Sequence, residues 1–503
     1  MNVKSKFEKN LNKIIYIIQI IASAILIYIS YNNGSIPNNY VLYAAIICVL
    51  LLIGEYFLIF YYKKSKSKRS IITQILSVLL SIVMFVASSY IYQYQKVVDL
   101  MGEETFQTRA ISVIVLEESE IANETQLVGK NLGYISYIDS ESMEYALDDI
   151  ETNIGSVKVV DCDDFSQLIE ALYDESVDAI ILDESFRELA TEDYDDFDDE
   201  TRVVYQVTKD EETVSSKSVD LTTTPFIVFI SGNDNYGELS EVSKTDVNLV
   251  VAVNPTTYQI LMISIPRDTY YPLHSYGQYD KFTHSGFYGI DESIATLEDM
   301  LGEDINYYIR LNFTSFMNII DALGGITVDV PVYETVDGGD GTFTTYKSNI
   351  TISPGINNFN SEEALAFVRE RKAFVAGDFV RGQNQQLVLE AVINKLCSTK
   401  ILTSFSSVLE AITDSIDTNF SSDEINSFVA YELKNMPDWN IQSYQIQGDV
   451  ATKPCYSSGY QELSVVVPYQ SNIARAREYI DMVIDGETLD LEDDEESSET
   501  ESE

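Results

Sequence analysis

Three long apolar runs dominate the hydrophobic pattern of the first hundred residues. They extend from Ile14 to Ser30, from Tyr40 to Tyr62 and from Ile71 to Tyr92, each close to the roughly 20 residues that a membrane-spanning helix needs. The sequence therefore predicts three transmembrane helices within residues 14–92. A secretory signal peptide is the alternative for the first run, which has a basic start and small residues at Ala22 to Ala24. The two further runs favour a retained helix.

The charges beside these runs predict their orientation. Residues 1–13 hold four lysines, the segment from Asn32 to Asn39 has no charge, and the segment from Lys63 to Arg69 holds five cations. Cytoplasmic segments of membrane proteins carry the excess of Lys and Arg. We therefore expect residues 1–13 to be a cytoplasmic N-terminus and everything after Tyr92 to lie outside the cell.

Beyond the apolar runs, short strand-like segments alternate with helical patterns, which is typical of α/β proteins. Residues 106–220 predict a small extracellular α/β accessory domain with a partly parallel sheet, and the polar stretch from Lys209 to Thr224 reads as a linker. Residues 222–485 predict a larger α/β domain, and residues 486–503 a disordered acidic tail. In the accessory domain the predicted strands are Ile111–Leu116, Gly133–Tyr137, Val157–Val160 and Ala179–Leu182, and the predicted helix is Phe165–Tyr173. The larger domain has buried-strand patterns at Phe226–Ile230, Val247–Val253 and Gln259–Ile265 and amphipathic segments at Ser293–Leu301 and Phe313–Leu323.

Charge is distributed very unevenly along the chain. The net charge of the 503 residues is −48, yet the first 100 carry ten cations and only three anions. The exported part is thus strongly acidic, which excludes nucleic acid as its natural partner, because phosphate backbones need a basic surface. The hydrophobic content of 45% also excludes wholesale disorder.

Three polar features are given structural interpretations. Glu55, inside the second apolar run, is expected to hydrogen-bond Gln74 of the third rather than to act as a functional group. The acidic run from Glu192 to Glu200 lacks the Gly and terminal Glu of a calcium loop and is interpreted as a solvated loop. A Cys397–Cys455 disulfide is only one of several pairings open to the exported cysteines.

Arginine is scarce in the larger domain, and its positions suggest an anion site. Arg267 directly follows a buried strand, and the carboxyl ends of strands are where open α/β sheets bind ligands. Arg369 and Arg371 follow an apolar helical pattern, while Arg381 lies four residues before Gln385 at an expected helix start. Surface ion pairing is the alternative for any one of them. Together, guanidinium forks beside a helix N-terminus are suited to phosphate.

Two carboxylates accompany these cations. Asp246 precedes a strand and Asp378 lies three residues before Arg381. Each is open to a structural interpretation as a cap or ion-pair partner. With a diphosphate they would instead hold Mg²⁺, which prefers one or two carboxylates plus phosphate oxygens. His284 is the one imidazole expected to face the same cleft.

At this point the motifs resemble those of the LytR-CpsA-Psr family, in particular its streptococcal capsule-protein branch. The resemblance covers about residues 222–485 and implies an α/β/α layered catalytic domain with a hydrophobic pocket for a polyprenyl chain. It also implies transfer of a glycopolymer from a polyprenyl-diphosphate carrier to peptidoglycan with Mg²⁺. The motifs are Thr245-Asp-Val-Asn-Leu249, Ser264-Ile-Pro-Arg-Asp268, Asp280-Lys-Phe-Thr-His-Ser-Gly286, Tyr307-Tyr-Ile-Arg-Leu-Asn-Phe-Thr-Ser315, Asp321-Ala-Leu-Gly-Gly325, Phe367-Val-Arg-Glu-Arg371 and Gly377-Asp-Phe-Val-Arg-Gly-Gln-Asn-Gln385.

The resemblance assigns roles to particular side chains. The chain departs from the family at Gln383, where many relatives have a further arginine, and at Phe379-Val380, where relatives are often polar. The amphipathic segments Ser293–Leu301 and Phe313–Leu323 are candidates for lining the lipid pocket, with ordinary core as the alternative. The diphosphate ligands carried over by motif are Arg267, Arg369, Arg371, Arg381 and Gln385, with Lys281 and Arg310 as further substrate-binding candidates, and the metal ligands are Asp246 and Asp378. The catalytic set is Asp246, Arg267, Arg369 and Arg371, with Asp268 as a rival to Asp246 for the role of base.

Two functions from different classes follow. The first is a membrane-anchored, Mg²⁺-dependent phosphotransferase whose partners are the lipid-linked glycopolymer, peptidoglycan and the membrane, with capsule synthesis and export proteins as further expected partners. The alternative is a non-catalytic polyprenyl-diphosphate sensor that regulates capsule synthesis and export. Turnover of a lipid-linked substrate, as opposed to binding alone, separates them.

Overall fold

The computed structural model describes residues 3–61, 68–101, 106–192, 194–233, 241–397, 408, 411 and 415–491. Within these residues the chain forms an N-terminal helical bundle, a five-stranded α/β unit and a larger unit built on a six-stranded sheet. The mixed α/β fold class expected from the sequence is confirmed.

The three apolar runs form three long helices. These are α1 (Val3–Asn32), α2 (Asn38–Tyr56), which a π-helical turn extends to Tyr61, and α3 (Lys68–Met101). Each contains a stretch long and apolar enough to cross a membrane. Many large apolar side chains on these helices point outward, as expected where lipid takes the place of a protein core.

The partner expected for Glu55 was wrong. Ser77 of α3 donates its hydroxyl to the Glu55 carboxylate, whereas Gln74 donates to Asn12 of α1. Ser77 lies three residues further along α3, about one turn closer to the extracytoplasmic end under the expected orientation, and there it faces α2. The structural interpretation of Glu55 as a hydrogen-bonded residue between helices still describes its contacts.

The accessory unit is a mixed sheet covered by short helices. Its strand order is β3-β2-β4-β1-β5, with β2 parallel to both of its neighbours and β1 antiparallel to both of its own. The expected linker from Lys209 is wrong in its first part, because residues up to Glu212 pair with β1. The strands are β1 (Phe106–Leu116), β2 (Asn131–Tyr134), β3 (Lys158–Asp161), β4 (Ala179–Asp183) and β5 (Thr201–Glu212). The helices are α4 (Ser140–Asn153), α5 (Phe165–Tyr173), α6 (Arg187–Ala190) and α7 (Phe197–Glu200).

The larger unit is built on a sheet with strand order β16-β11-β6-β7-β8-β17. Strand β7 is antiparallel to β6 and β8, while β11 and β17 run parallel to β6 and β8. The end of β6, the start of β7 and the ends of β8, β11 and β17 therefore share one edge. The sheet strands are β6 (Phe226–Gly232), β7 (Val247–Asn254), β8 (Gln259–Ser264), β11 (Tyr307–Leu311), β16 (Asp417–Thr418) and β17 (Asn440–Gln445). The shorter paired strands are β9 (Tyr270–Pro272), β10 (Tyr279–Lys281), β12 (Ile326–Val330), β13 (Phe343–Thr344), β14 (Thr351–Ile352), β15 (Gly355–Phe359), β18 (Gly448–Cys455) and β19 (Gln461–Pro468).

Helices cover both faces of this sheet, and alternate residues of each strand supply the two cores. Ile227 and Phe229 pack beneath one helical layer, whereas Phe226 and Val228 pack beneath the other. Burial on both faces explains the nearly continuous apolar runs in the sequence. The first layer contains α8 (Ile290–Leu301) and α13 (Gln470–Asp485), and the second contains α11 (Asp378–Leu396) and α12 (Ser422–Asn435). Two further helices, α9 (Phe313–Ala322) and α10 (Ser361–Arg369), pack beside α11 over a separate apolar cluster.

The expected acidic tail begins later than residue 486. Leu489 is buried in the core beneath α13, and its backbone is held by Gln259 and Gln442. Residues 487–491 are therefore part of the folded unit, because Leu489, within the acidic run, is buried in the core. The rest of the predicted tail, residues 492–503, lies outside the described residues.

Candidate active site

A cavity of about 510 Å³ opens at the sheet edge where β7 begins and β8 ends. Apolar side chains from α9 and α10, including Phe313, Met317 and Leu365, form one part of its wall. Cations form another part. The predicted residues on the wall are Asp246, Arg267, Arg369, Arg371, Arg381 and Gln385.

Arg267 and Asp246 form the buried base of the site. Arg267 Nη1 donates to Asp246 Oδ1 at 2.7 Å, and Lys244 Nζ lies 3.9 Å from the other carboxylate oxygen. Burial raises the pKa of the Asp246 carboxyl, but Lys244 and Arg267 outweigh burial and hold that pKa below its ordinary value. Asp246 is thus an anion at neutral pH.

Arg381 enters the site on the first turn of α11. Its Nη2 lies 2.8 Å from Asp378 Oδ1. Burial, together with the nearby Arg267 and Arg371, lowers the pKa of Arg381, while Asp378 opposes that shift. Burial is the main cause of the lowered pKa, and Arg267 and Arg371 add to it because all three guanidinium groups line the same cavity.

Arg369 and Arg371 differ from the other two arginines in having no carboxylate partner. Arg369 stacks on the ring of Phe313, with Cζ 4.1 Å from the ring centroid, and Arg371 is exposed. No ion pair to either guanidinium occurs among the described residues. In a chain with 80 acidic residues, two unpaired arginines facing one cavity favour an anionic ligand from outside the chain.

Two glycines let the chain segments approach this closely. A Cβ on Gly382 of α11 would lie 2.8 Å from Ser264 Oγ at the end of β8, and one on Gly286 would lie 2.5 Å from the Ser243 carbonyl oxygen. Both contacts are shorter than real Cβ atoms make. Gly382 therefore allows the start of α11 to reach the sheet edge, and Gly286 fixes the segment that carries Asp246.

Three of the predicted residues, Lys281, Arg310 and Asp378, do not line the cavity. Lys281 contacts the site only through Asp268. Its Nζ lies 3.1 Å from Asp268 Oδ1, and Asp268 Oδ2 lies 3.8 Å from Arg267 Nε. Arg310 is buried and paired with Asp417 at 2.7 Å, because β16 places that carboxylate directly opposite it on β11. The structure therefore corrects the placement of Arg310 as a cavity ligand.

His284 also lies away from the cavity. It is buried, bonds Asp280 through Nδ1 at 2.6 Å and stacks on Phe287. Of the two amphipathic segments, only Phe313–Leu323 contributes to the cavity wall. The Ser293–Leu301 segment of α8 packs into the core beneath the sheet, which was the alternative interpretation. Cys397 and Cys455 are both free thiols.

Sequence reasoning missed several wall and neighbouring residues. Lys244 lies two residues before Asp246 and was not singled out, and its Nζ lies 3.9 Å from Asp246 Oδ2. Tyr346 and Lys347 come from the loop between β13 and β14. Lys372 lies over the Tyr346 ring, with Nζ 3.7 Å from the ring centroid. No sequence pattern marks that loop as part of the site.

The carboxylates are compatible with Mg²⁺. Asp246 Oδ2 and Asp378 Oδ1 are buried oxygens without a hydrogen bond from the described residues, although Asp378 Oδ1 is ion-paired with Arg381. Carboxylate oxygens beside a diphosphate are what Mg²⁺ uses, since it completes its shell with phosphate oxygens and water. Within the described part of the chain no cluster of three or more metal-ligating side chains occurs, so any such ion would depend on the substrate for its remaining ligands.

The layered α/β/α fold carries an apolar cavity at a sheet edge whose wall also holds four arginines. Comparison with known proteins gives the family: the LytR_cpsA_psr family model matches residues 194–475, and the chain belongs to that family.

Among its relatives is a polyisoprenyl-teichoic acid–peptidoglycan teichoic acid transferase, TagU, of Bacillus anthracis. It is 36% identical over 228 residues, which are 45% of this chain and 70% of the relative. The TagU of Bacillus licheniformis is 33% identical over 220 residues, 44% of this chain and 63% of the relative.

Solved structures similar to this chain include Bacillus subtilis TagV, with 26% identity, a TM-score of 0.43 and coverage of 54% of this chain and all of that one. Another is YwtF (TagT) with bound octaprenyl pyrophosphate lipid, with 25% identity, a TM-score of 0.40 and coverage of 53% and 93%.

Proposed function

We propose that this protein is a membrane-anchored phosphotransferase that moves a glycopolymer from a polyprenyl-diphosphate carrier to peptidoglycan. The observation that carries the proposal is the pair of unpaired guanidinium groups, Arg369 and Arg371, beside an apolar cavity. A cation cluster next to an apolar wall is complementary to a molecule with a diphosphate at the end of a hydrocarbon chain. The names of the TagU relatives support the same donor and acceptor classes.

In the proposed reaction a peptidoglycan hydroxyl oxygen attacks the phosphorus that bears the polymer. A new P–O bond forms, the P–O bond to the polyprenyl phosphate breaks, and the bonding electrons leave with that phosphate. The hydroxyl proton passes to a carboxylate of the site, for which Asp246 is the first candidate and Asp268 the second. Phosphoryl transfer depends mainly on positioning and charge neutralisation, so the low pKa of Asp246, which weakens it as a base, does not argue against this site.

The arginines would neutralise charge that develops on the departing phosphate. Arg381 is buried, Arg267 is half-buried, and both are held by carboxylates, so they are already oriented when the substrate arrives. Arg369 and Arg371 are free to bind the diphosphate with both arms of the guanidinium. Asp246 and Asp378 would hold Mg²⁺, which when bound supplies further positive charge at the phosphate oxygens.

Purified full-length protein in detergent, given lipid-linked glycopolymer and peptidoglycan, tests the proposal. We expect release of polyprenyl phosphate and polymer attached to peptidoglycan, both abolished by EDTA and restored by Mg²⁺. Arg267→Ala should leave the polymer unattached. Tight binding of the lipid without any turnover would contradict the enzyme and support the diphosphate sensor.

The proposed orientation places the catalytic unit outside the cell. With Cys397 changed to serine, we introduce a cysteine at one of two exposed positions, Glu478 or Asn10. A membrane-impermeant maleimide should label Glu478→Cys in intact cells, and Asn10→Cys only after permeabilisation. The reverse labelling pattern would overturn the orientation.

A further inference from the structure

A second cavity, of about 710 Å³, lies between the accessory unit and the catalytic unit. Strand β5 supplies one wall through Gln206 and Thr208, and the catalytic unit supplies the other through Asn233, which follows β6, and through Ser243 and Lys244, which lead into β7. The cavity is larger than the one described above, and the proposed function assigns it no role.

Direct contacts fix the shape of this interdomain cleft. Arg109 of β1 is buried, and its Nη1 donates to Asp183 at 2.7 Å and to the Phe287 carbonyl of the catalytic unit at 3.0 Å. Lys244 reaches back across the cleft and binds both carboxylate oxygens of Glu188 at 2.6 Å. The two units therefore enclose a preformed site, which avoids part of the entropic cost of ordering a ligand.

The cleft wall carries the chemistry that recognises sugars. Four side chains with hydroxyl or amide groups line the cleft between β5 and the start of β7: Thr208, Gln206, Asn233 and Ser243. The side-chain oxygen of Asn233, itself 5% exposed, accepts no hydrogen bond within the described structure, although its nitrogen donates to Ser243. A buried acceptor without a donor costs free energy unless a ligand hydroxyl or amide supplies one.

Charge on the wall selects against an anionic polymer. Carboxylates of Glu184, Glu188, Asp198 and Glu241 line the cleft, and the cations there, Arg187 and Lys244, are already paired with carboxylates. An uncharged saccharide can bind such a surface through hydrogen bonds, whereas a phosphate-rich chain would be repelled.

The cleft and the arginine cavity are neighbours, separated by the segment from Ser243 to Val247. Ser243 and Lys244 line the cleft, and Asp246 and Val247 line the arginine cavity. Asp246 has one oxygen on Arg267 and the other 3.9 Å from Lys244. In phosphoryl transfer the attacking and departing oxygens lie roughly in line on opposite sides of the phosphorus. If the departing lipid phosphate occupies the arginine cavity, the attacking hydroxyl comes from the cleft side.

We propose that the interdomain cleft binds the acceptor saccharide, an uncharged stretch of peptidoglycan glycan, and presents its hydroxyl to the phosphorus beside Asp246. The proposal rests on the proposed function for the identity of the reaction, but the cleft binds the sugar whether or not transfer follows. It gives the accessory unit a part in acceptor recognition.

The test is equilibrium binding of an uncharged N-acetylglucosamine tetrasaccharide, the neutral sugar of the peptidoglycan glycan, to the full-length protein, measured by calorimetry or by ligand NMR. Thr208→Trp fills the cleft from β5 and should weaken binding at least tenfold. It should also raise KM for the saccharide acceptor without changing kcat or KM for the lipid-linked donor. Gln206→Ala, a smaller change that preserves the fold, should weaken binding several-fold.

Val203→Trp is the matched control, because Val203 is exposed on the same strand and does not line the cleft. Unchanged binding in both cleft variants would overturn the proposal. Variants that lose binding of lipid-free glycopolymer but keep binding of the tetrasaccharide would overturn it too. A wild-type protein that binds the tetrasaccharide through the cleft yet releases no polyprenyl phosphate would overturn the proposed function while supporting this site.

Discussion

Arg369 illustrates how a single side chain prepares the site for its ligand. The ring of Phe313 holds the guanidinium plane 4.1 Å away, so its donors are oriented without a carboxylate competing for them. Arg369→Ala should lower kcat/KM for the lipid-linked donor by about 10²–10³-fold, in the range found when one charge-stabilising donor is removed. Steady-state kinetics measures the effect.

Arg475→Ala provides the matched control, since Arg475 is exposed on α13, away from the cavity wall. It removes the same charge and should leave kcat/KM unchanged. Arg369→Lys should be intermediate, because lysine keeps the charge but lacks the planar fork. Equal activity of the alanine and wild-type proteins would remove Arg369 from the binding set.

Asp280 gives the fold a defined response to acid. The carboxylate is fully buried, bonded to His284 at 2.6 Å and to the backbone N–H of Ser457 at 2.6 Å. Burial raises its pKa, but His284 and Ser457 outweigh burial and leave the pKa below its ordinary value. A depressed carboxyl pKa stabilises the fold above the unfolded value near ~3.9, and that contribution is lost as the pH falls through the folded pKa.

Asp280→Asn should therefore lower the free energy of unfolding by about 1–3 kcal/mol at pH 7, and the difference from wild type should persist down to about pH 4 and shrink below it, where the wild-type carboxylate is protonated. Thermal unfolding across that pH range measures both effects. Asp449→Asn, at an exposed carboxylate on β18, should show neither. A difference in the free energy of unfolding that stays constant over the whole pH range would mean that the ionised form of Asp280 contributes nothing to stability.

Among the elements, α11 owes its position to a glycine in its first turns. Gly382→Ala would put a methyl group 2.8 Å from Ser264 Oγ and so push the start of α11 away from β8. Strain of this kind typically lowers the free energy of unfolding by about 1–3 kcal/mol. The displacement would also move Arg381 away from Arg267. We expect a lower melting temperature together with at least a tenfold loss of transfer activity.

Gln383→Ala is the neighbouring control for this change, because Gln383 is exposed on the same helix. It should keep both stability and activity. A Gly382→Ala protein with wild-type activity would show that close contact between α11 and β8 is not needed to assemble the arginines.

The elements also show how far sequence reasoning reaches. Strands β6, β7 and β8 were predicted because burial on both faces leaves an unbroken apolar run. Helix α4 was missed although Met143, Ala146 and Ile150 form its buried face, since polar residues between them diluted the pattern. Strand β5 was missed because its exposed outer face carries charged and polar residues that resemble a linker.

For the site, local motifs predicted the residues that the chain itself brings to the sheet edge, such as Arg267 and Arg381. They could not predict what Arg310 does. Its partner, Asp417, lies on a two-residue strand more than a hundred positions later, and only the pairing of β11 with β16 brings the two together. Long-range pairing of this kind leaves no local pattern.

At the scale of the whole molecule, the catalytic unit rests on the helical bundle through α12. Ser35, in the turn between α1 and α2, donates to Asn426 Oδ1 at 2.5 Å, and Ser422 donates to the Val98 carbonyl at 3.0 Å. Tyr94 and Val98 of α3 pack against α12 beside these bonds. This contact holds the unit at the end of the bundle that the proposed orientation places outside the cell.

Asn426→Ala should loosen this attachment, because Ser35 loses its acceptor. In lipid nanodiscs, amide hydrogen exchange should accelerate in α12 and around Val98, while the core of β6–β8 keeps its protection. Ser427→Ala is the control, since the Ser427 hydroxyl bonds only the Glu424 carbonyl of its own helix. Unchanged exchange in the Asn426 variant would mean that packing alone fixes the domain.

The length of α11 sets the distance between the arginines of the site and the part of α11 that packs against α12. The helix starts at Arg381 and Asp378 in the site, its 19 residues span about 28 Å at ~1.5 Å per residue, and near its far end Leu389 and Ile393 pack in the same cluster as Phe428 of α12. The arginines thus lie at the opposite end of α11 from the part that packs against α12, which contacts the bundle, so we expect a carrier whose headgroup reaches them to draw part of its hydrocarbon out of the bilayer. Short-chain carriers would have to leave the membrane completely, so shortening the carrier should raise KM in nanodiscs much more than it does in detergent.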